Sequence, residues 1–304
     1  MDRKPTIVLL AGPTASGKSK LAIKLSKALN GEIVNADSMQ VYKELKILTS
    51  RPSPSDVKKI KHHLYGFISV KKNFSTGAWL NIATKKIKLI LKKRKVPILV
   101  GGTGLYFKAL IDGLVQIPDI PISLREKIRK YHKKIGQEKF YNELLKLDPK
   151  VKKFILESDS QRSIRAYEVK KFTKKSLYDW IKNTKPTFDP NLFKKFFIHP
   201  SKDFLLQQIN LRMNKMFKQG AKQEVKEFLK LKIRSDLSAN KVIGIQEIKD
   251  HLLKKLTLTE VKNLIQIRTR QYVKRQFTWA RGKMSSWKII NPKNYKDILD
   301  TLIN

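Results

Sequence analysis

The octet Gly12-Pro13-Thr14-Ala15-Ser16-Gly17-Lys18-Ser19 constrains this chain more than any other feature. It satisfies GxxxxGK[ST] at every fixed position. The β-branched and aliphatic run Thr6–Ala11 precedes it and reads as a buried strand. Leu21, Ala22, Leu25, Ala28 and Leu29 follow at helical spacing over about Lys18–Leu29. Strand, glycine-rich turn and helix in that order make a phosphate loop. Its backbone N–H groups and the positive helix terminus cradle an anion. Lys18 is placed to reach the outer phosphate and the Ser19 hydroxyl to ligate Mg²⁺. Such a loop specifies a polyphosphate and does not single out ATP.

The same alternation continues. Glu32–Asn35 reads as a second strand, Ala78–Lys93 as an amphipathic helix, and Val96–Val100 as a strand stopped by Gly101-Gly102. The predicted fold class is α/β, a P-loop NTPase-like parallel sheet covered by helices. After Pro118 the pattern changes. Ser123–Lys146, Lys150–Leu156 and Ser160–Lys171 read as helices, and no strand pattern returns until Phe193–Ile198. Residues 118–192 are therefore expected to be an all-helical insertion in a core of residues 1–117 and 193–304. Helices follow at about Asp203–Leu231, Lys241–Leu253 and Thr259–Trp279, with a short strand near Trp287–Ile290 and a terminal helix.

Composition narrows the function classes. The 304 residues include 66 Lys+Arg against 25 Asp+Glu, a formal net charge of +41, which points to a polyanionic partner. A hydrophobic fraction of 41% is enough for a packed core, so this is not a disordered basic tail. There is no cysteine, which excludes disulfides, Cys-ligated zinc, iron–sulfur clusters and thiol catalysis. His62, His63, His132, His199 and His251 show no metal-ligand spacing. No apolar run approaches the ~20 residues that span a bilayer. Met1–Pro5 leads straight into an apolar stretch without a signal-peptide pattern, so a cytoplasmic, monomeric protein with no membrane partner is expected.

Two further sites lie at strand ends, where open α/β sheets carry their chemistry. Asp37, in Asn35-Ala36-Asp37-Ser38-Met39-Gln40-Val41-Tyr42, is a general base, an outer partner of Mg²⁺, or a helix N-cap. Thr103, in Gly101-Gly102-Thr103-Gly104-Leu105-Tyr106, is a hydroxyl donor or a helix cap. No strand ends in a strong Walker B aspartate, which weakens a motor-ATPase reading.

Taken together, these motifs resemble the tRNA dimethylallyltransferases, also called tRNA isopentenyltransferases. The resemblance rests on the octet, Asp37-Ser38-x-Gln40-x-Tyr42 and GGTGLYFKAL at Gly101–Leu110. It continues through Asp159-x-Gln161-Arg162-x-x-Arg165-Ala166-x-Glu168-Val169 to Thr269-Arg270-Gln271-Tyr272-x-Lys274-Arg275-Gln276-x-Thr278-Trp279-x-Arg281. These motifs span residues 12–281, nearly the whole chain. The resemblance implies transfer of a dimethylallyl group from its diphosphate to the exocyclic amine of an adenine. That adenine lies 3′ of the anticodon in tRNAs reading codons that begin with U, and pyrophosphate leaves with Mg²⁺ assistance. In that chemistry Asp37 accepts a proton from the amine, while Lys18, Mg²⁺ and Thr103 neutralise the leaving diphosphate.

The implied tRNA contacts are Asp37, Ser38, Met39, Gln40, Thr103, Arg125, Gln161, Arg162, Ser163, Ile164 and Arg165. The run Lys274, Arg275, Gln276, Phe277, Thr278, Trp279, Ala280 and Arg281 completes the set. On a helix, Arg268, Tyr272, Arg275 and Trp279 share one face and Arg270, Lys274 and Arg281 another. Cations interleaved with aromatics suit RNA, and a solvated amphipathic helix with its aromatics in the core is the alternative.

The chain departs from the family pattern at four places. Asn35 stands where a small residue is common, and Leu48-Thr49-Ser50-Arg51-Pro52 replaces a GTAKP-like segment. Gln208-Ile209 replaces an Arg-Ile pair, with Arg212 one turn later, and Gly244-Ile245-Gln246-Glu247 lacks the usual tyrosine and base. If the missing arginine holds pyrophosphate, either turnover is slower or Arg212 substitutes for it. Two other readings compete, a P-loop small-molecule or nucleotide kinase and a non-catalytic basic RNA-binding protein.

Overall fold

The computed structural model describes residues 5–115, 117–182, 184–291 and 298–299. They divide into two compact units, residues 1–111 with 188–304, and residues 112–187.

The first unit is built on a six-stranded sheet. Its first half runs β1 (Ile7–Ala11), α1 (Lys18–Ala28), β2 (Gly31–Asn35), α2 (Pro54–Lys59), β3 (His62–His63), α3 (Thr76–Lys92), β4 (Val96–Gly101) and α4 (Gly104–Asp112). The second unit holds α5 (Ile122–Ile135), α6 (Gln137–Leu147), α7 (Ser160–Thr173) and α8 (Leu177–Lys182). The chain then returns with β5 (Phe193–Ile198), α9 (Lys202–Lys218), α10 (Ala221–Lys230), α11 (Ile245–Leu252), α12 (Leu258–Lys283) and β6 (Lys288–Ile290).

The strand order is β3-β2-β4-β1-β5-β6, and every pair is parallel. The central strands β1 and β2 are buried at every residue, because helices cover both faces. One apolar layer joins Val8 and Leu10 of β1 to Leu21 and Leu25 of α1 and Ile98 of β4. A second gathers Tyr42, Leu45 and Leu48 of the loop after β2 against Met213, Val225, Ile248 and Ile265 of the C-terminal helices. The parallel arrangement brings the C-terminal ends of β1, β2 and β4 to one sheet edge. Close approach there leaves no room for a side chain at Gly101, where a Cβ would lie 2.0 Å from the Ala36 carbonyl oxygen.

Several boundaries differ from the sequence expectation, each for a local reason. The expected helix over Ser123–Lys146 breaks at Gly136, whose φ of 80° ends α5 and starts α6. The expected helix over Asp203–Leu231 breaks at Gly220, with φ 96°. Gly244, with φ 107°, delays α11 to Ile245, and Ser238–Lys241 forms a 3₁₀ turn instead. Lys150–Leu156 is a 3₁₀ turn over Pro149–Lys153. Helix α12 outlasts its expectation at both ends, started by a Thr257/Glu260 capping box. The short α2 and α8 and the two-residue edge strand β3 went unforeseen. The terminal helix falls outside the described residues, apart from Ile298 and Leu299.

Candidate active site

Three loops converge at the sheet edge. The first, between β1 and α1, is pinned to the sheet by Gly12 N–H donating to the Gly101 carbonyl at 3.3 Å. Gly17, with φ 83°, turns the chain into α1 so that Lys18 is its first residue. The Lys18 ammonium donates to the Pro13 carbonyl at 2.9 Å. Burial lowers its pKa to about 8, against the opposing pull of Asp37 and with a further lowering by Arg212. The Ser16 hydroxyl is buried and has no hydrogen-bond partner among the described residues, which suits a loop built to receive an anion.

The second loop carries Asp37. No helix begins there, so Asp37 is not an N-cap. Asn35, fully buried, shapes the turn. Its Oδ1 accepts the Asp37 N–H at 2.9 Å, and its Nδ2 donates to the Asp37 and Leu64 carbonyls at 3.0 Å each. A departure from the family pattern thus holds the carboxylate in place. Asp37 Oδ1 accepts the Met39 N–H at 2.9 Å, which leaves Oδ2 without a hydrogen bond among the described residues. Gln40 Nε2 donates to the Thr49 carbonyl at 2.8 Å.

The third loop follows β4. Thr103 Oγ1 accepts the Ser38 N–H at 2.9 Å and lies 3.2 Å from Ser38 Oγ. Its own N–H donates to the Ala36 carbonyl at 3.3 Å. Thr103 therefore ties this loop to the Asp37 turn.

Charge gathers between the loops. Arg212 of α9 donates to the Thr14 hydroxyl and, at 3.2 Å, to the Leu48 carbonyl. Asp37 interacts with both Lys18 and Arg212. Burial, and after it the charge of Asp37, raises the pKa of the Tyr65, Tyr106 and Tyr272 phenols and keeps them protonated. Tyr106 stacks on Trp79 at 4.2 Å, and the Trp79 indole N–H donates to the Asn35 carbonyl at 2.9 Å.

Helix α12 lies across two of the loops. Gln276 accepts the Thr14 N–H at 2.9 Å and donates to the Gly102 carbonyl at 3.0 Å. The Trp279 indole packs where a Cβ on Gly104 would sit. Tyr272, Gln276 and Trp279 help line a cavity of about 260 Å³ with Gly12, Thr103 and Phe107. A larger apolar cavity of about 750 Å³, between Leu205, Ile209, Val273 and Phe277, lines neither Lys18 nor Asp37. The opposite charges and the Asp37 carboxylate meet in the loop cluster and not in that cavity.

The expected RNA-contact residues divide by exposure. Lys274, Arg275, Thr278 and Arg281 of α12 are exposed, as are Gln161 and Arg162 of α7. Ser163, Gln276 and Ala280 of the same set are buried. The Ser163 hydroxyl donates to the Asp159 carbonyl at 2.8 Å, and both polar atoms of Gln276 are engaged by the loops. Phe277 packs with Leu205, Ile209 and Val273, and Ile164 is half-buried. In the second unit, Arg125 and Arg165 both approach Glu168.

Sequence reasoning did not place Tyr65 or Tyr106 beside Asp37, and it named Arg212 only as a substitute for the missing arginine of the family pattern. Arg212 carried a signal, its position one turn after Gln208, whereas Tyr65 carried none. Among the described residues no cluster of three or more His, Cys, Asp or Glu could hold a metal. The exposed Ser19 hydroxyl suits a Mg²⁺ held mostly by diphosphate oxygens and water. No helix among the described residues is long and apolar enough to cross a membrane.

Comparison with known proteins agrees with this geometry. Residues 40–283 match the family model described as IPP transferase. A tRNA dimethylallyltransferase of Pelagibacter ubique is 56% identical over 292 residues, covering 96% of this chain and 93% of the relative. The crystal structure of a full-length tRNA isopentenylpyrophosphate transferase from Bacillus halodurans is similar at TM-score 0.71 and 29% identity. That match covers 99% of this chain and 96% of the other. A eukaryotic dimethylallyltransferase acting on tRNA, solved by crystallography, is similar at TM-score 0.82 and 26% identity. Here the match covers 95% of this chain and 74% of the other.

Proposed function

The chain belongs to the IPP transferase family of tRNA dimethylallyltransferases, and from that premise we propose the reaction in detail. The donor is dimethylallyl diphosphate. The acceptor is the exocyclic amine of the adenine immediately 3′ of the anticodon, in tRNAs reading codons that begin with U. The bond between the amine nitrogen and the allylic carbon forms as the carbon–oxygen bond to diphosphate breaks. Asp37 takes the amine proton, and pyrophosphate leaves.

The observation that carries this reading is the meeting of Lys18, Arg212 and Asp37 at one sheet edge. Two cations beside a phosphate loop stabilise charge that grows on a leaving diphosphate. The unbonded Asp37 Oδ2 is a proton acceptor within that cluster. Thr103 serves by holding the Asp37 turn through Ser38. Ser19 would hold Mg²⁺, which would supply further charge neutralisation when bound. The target base leaves its stack to reach the carboxylate. The exposed cations of α12 and of α7 hold the anticodon stem-loop, and the enzyme works as a cytoplasmic monomer.

The test is incubation with dimethylallyl diphosphate, Mg²⁺ and unmodified tRNA, followed by nucleoside mass spectrometry. One isopentenyl unit on adenosine is expected. Phosphoryl transfer from ATP without that gain overturns the reading in favour of a kinase. A variant probes the arginine replacement on α9. Arg212→Gln is expected to weaken donor binding and slow transfer by ~10–100-fold, the value of a charge-assisted contact to phosphate. Steady-state kinetics at varied donor concentration measures it, and wild-type kinetics would remove Arg212 from the diphosphate site.

A further inference from the structure

Arg212 reaches the phosphate loop while resting on the turn at residues 46–51. One guanidinium nitrogen donates to the Thr14 hydroxyl, and the other donates to the Leu48 carbonyl at 3.2 Å. The turn therefore sets where the guanidinium sits. Two hydrogen bonds of its own close the turn, Ser50 N–H to the Ile47 carbonyl at 3.0 Å and Arg51 N–H to the Lys46 carbonyl at 3.1 Å. They do not orient it against α9.

That orientation comes from Glu224, in the first turn of α10. Its Oε2 accepts the N–H groups of Lys46 and Ile47 at 2.7 Å each, and its Oε1 accepts the Leu48 N–H at 2.9 Å. Three successive backbone N–H groups converging on one anion form a nest. Hydrogen bonds to an ionised carboxylate are roughly twice as strong as neutral ones. Helix α10 is itself anchored beside the turn, because Ala221 and Val225 pack in one core layer with Leu45 and Leu48. At the other end of the turn, Gln40 Nε2 donates to the Thr49 carbonyl at 2.8 Å and to the Ser50 carbonyl at 3.2 Å. Glu224 thus holds the half of the turn on which Arg212 rests.

We propose that Glu224 is a positioning residue for prenyl transfer: by fixing the backbone of residues 46–48 it aims the Arg212 guanidinium at the phosphate loop. The proposal rests on the prenyl-transfer reading above and adds to it a residue that acts through another. A guanidinium seated on a fixed carbonyl needs little further ordering when the diphosphate arrives. With the turn loosened, Arg212 keeps its charge and loses its aim.

The experiment is steady-state prenyl transfer by the full chain at saturating tRNA and varied dimethylallyl diphosphate, in a double-mutant cycle of Glu224→Gln and Arg212→Gln. Glutamine keeps the size of the side chain and one acceptor oxygen, but its amide nitrogen replaces the second acceptor. At least one of the three N–H groups then loses its partner. Glu224→Gln is expected to raise the donor KM roughly three- to tenfold, the value of one misplaced hydrogen bond. In the Arg212→Gln background the same substitution is expected to change the donor KM by less than about twofold, because the group it positions is gone. A purely structural role predicts the full increase in both backgrounds. Wild-type donor KM in Glu224→Gln, or an undiminished increase in the Arg212→Gln background, overturns the proposal and leaves the reaction intact. Thermal melting reports whether the variant folds. If Glu224→Gln does not, Glu224→Asp, which keeps the charge and withdraws it by one methylene, enters the same cycle under the same criteria. Absence of prenyl transfer by the wild-type chain overturns the reaction reading and the proposal with it.

Discussion

Asp37→Asn is expected to slow prenyl transfer by ~10²–10⁴-fold, the range general-base removal commonly costs, while tRNA affinity stays near wild type. Asparagine keeps the shape of the side chain and an oxygen for the Met39 N–H, so the turn shaped by Asn35 survives. What disappears is the proton acceptor at Oδ2. Single-turnover measurements with saturating tRNA and donor isolate the chemical step, and filter binding reports the affinity. A loss below tenfold would move the base elsewhere. The substitution carries a second signature. Asp37 holds the pKa of Lys18 up against burial, so its neutralisation lets the ammonium lose its proton at lower pH.

Lys18→Ala is expected to lower the rate of transfer by ~10²–10³-fold, comparable to removing one donor from a preorganised anion site. The loss should be accompanied by a change in pH dependence. In the free enzyme Lys18 titrates at about 8, so kcat/KM for the prenyl diphosphate falls as pH rises through that value. The alanine variant should lack this descending limb. Stability runs the other way. The folded pKa lies below the unfolded value of 10.5, so between about 8 and 10.5 the unfolded chain binds more protons. Native stability therefore gains from this group as pH rises across the window in which activity declines. Urea denaturation at several pH values checks the first trend, and donor kinetics the second. Parallel trends would show that Lys18 is not the group responsible.

Much of this architecture is legible in one dimension because it rests on local patterns. The octet, the strand before it and the helix after it are contiguous, and each is marked by spacing, burial or glycine. The same holds for the ends of β2 and β4, where Asp37 and Thr103 sit. Helix interruptions were harder. At Gly136 and Gly220 the apolar spacing continues across the break, and only the positive φ reveals that the axis changes. The edge strand β3 is two residues long, too short for any periodicity, and exists because β2 offers it a partner.

The family motifs mark residues by neighbourhood along the chain, which does not say which way a side chain faces. Gln276 lies within a basic, aromatic run that reads as RNA-facing, yet helix rotation turns it inward to bridge Thr14 and Gly102. Nothing along the chain shows that Arg125, Arg129 and Arg165 share one carboxylate, because only the packing of α5 and α7 brings them to Glu168.

By itself, the sequence determined the phosphate loop, the parallel α/β class, the helical character of the segment after Pro118 and the polyanionic partner. These depend on residue type and short spacing, which backbone sterics and burial convert directly into local structure. Only the tertiary structure decided that Asn35 locks the Asp37 turn, that Arg212 reaches the phosphate loop, and that three tyrosines come within reach of the charge of Asp37. Those contacts join residues as far apart as Thr14 and Arg212, whose meeting depends on how the strands order and the helices cross, a property no local pattern encodes.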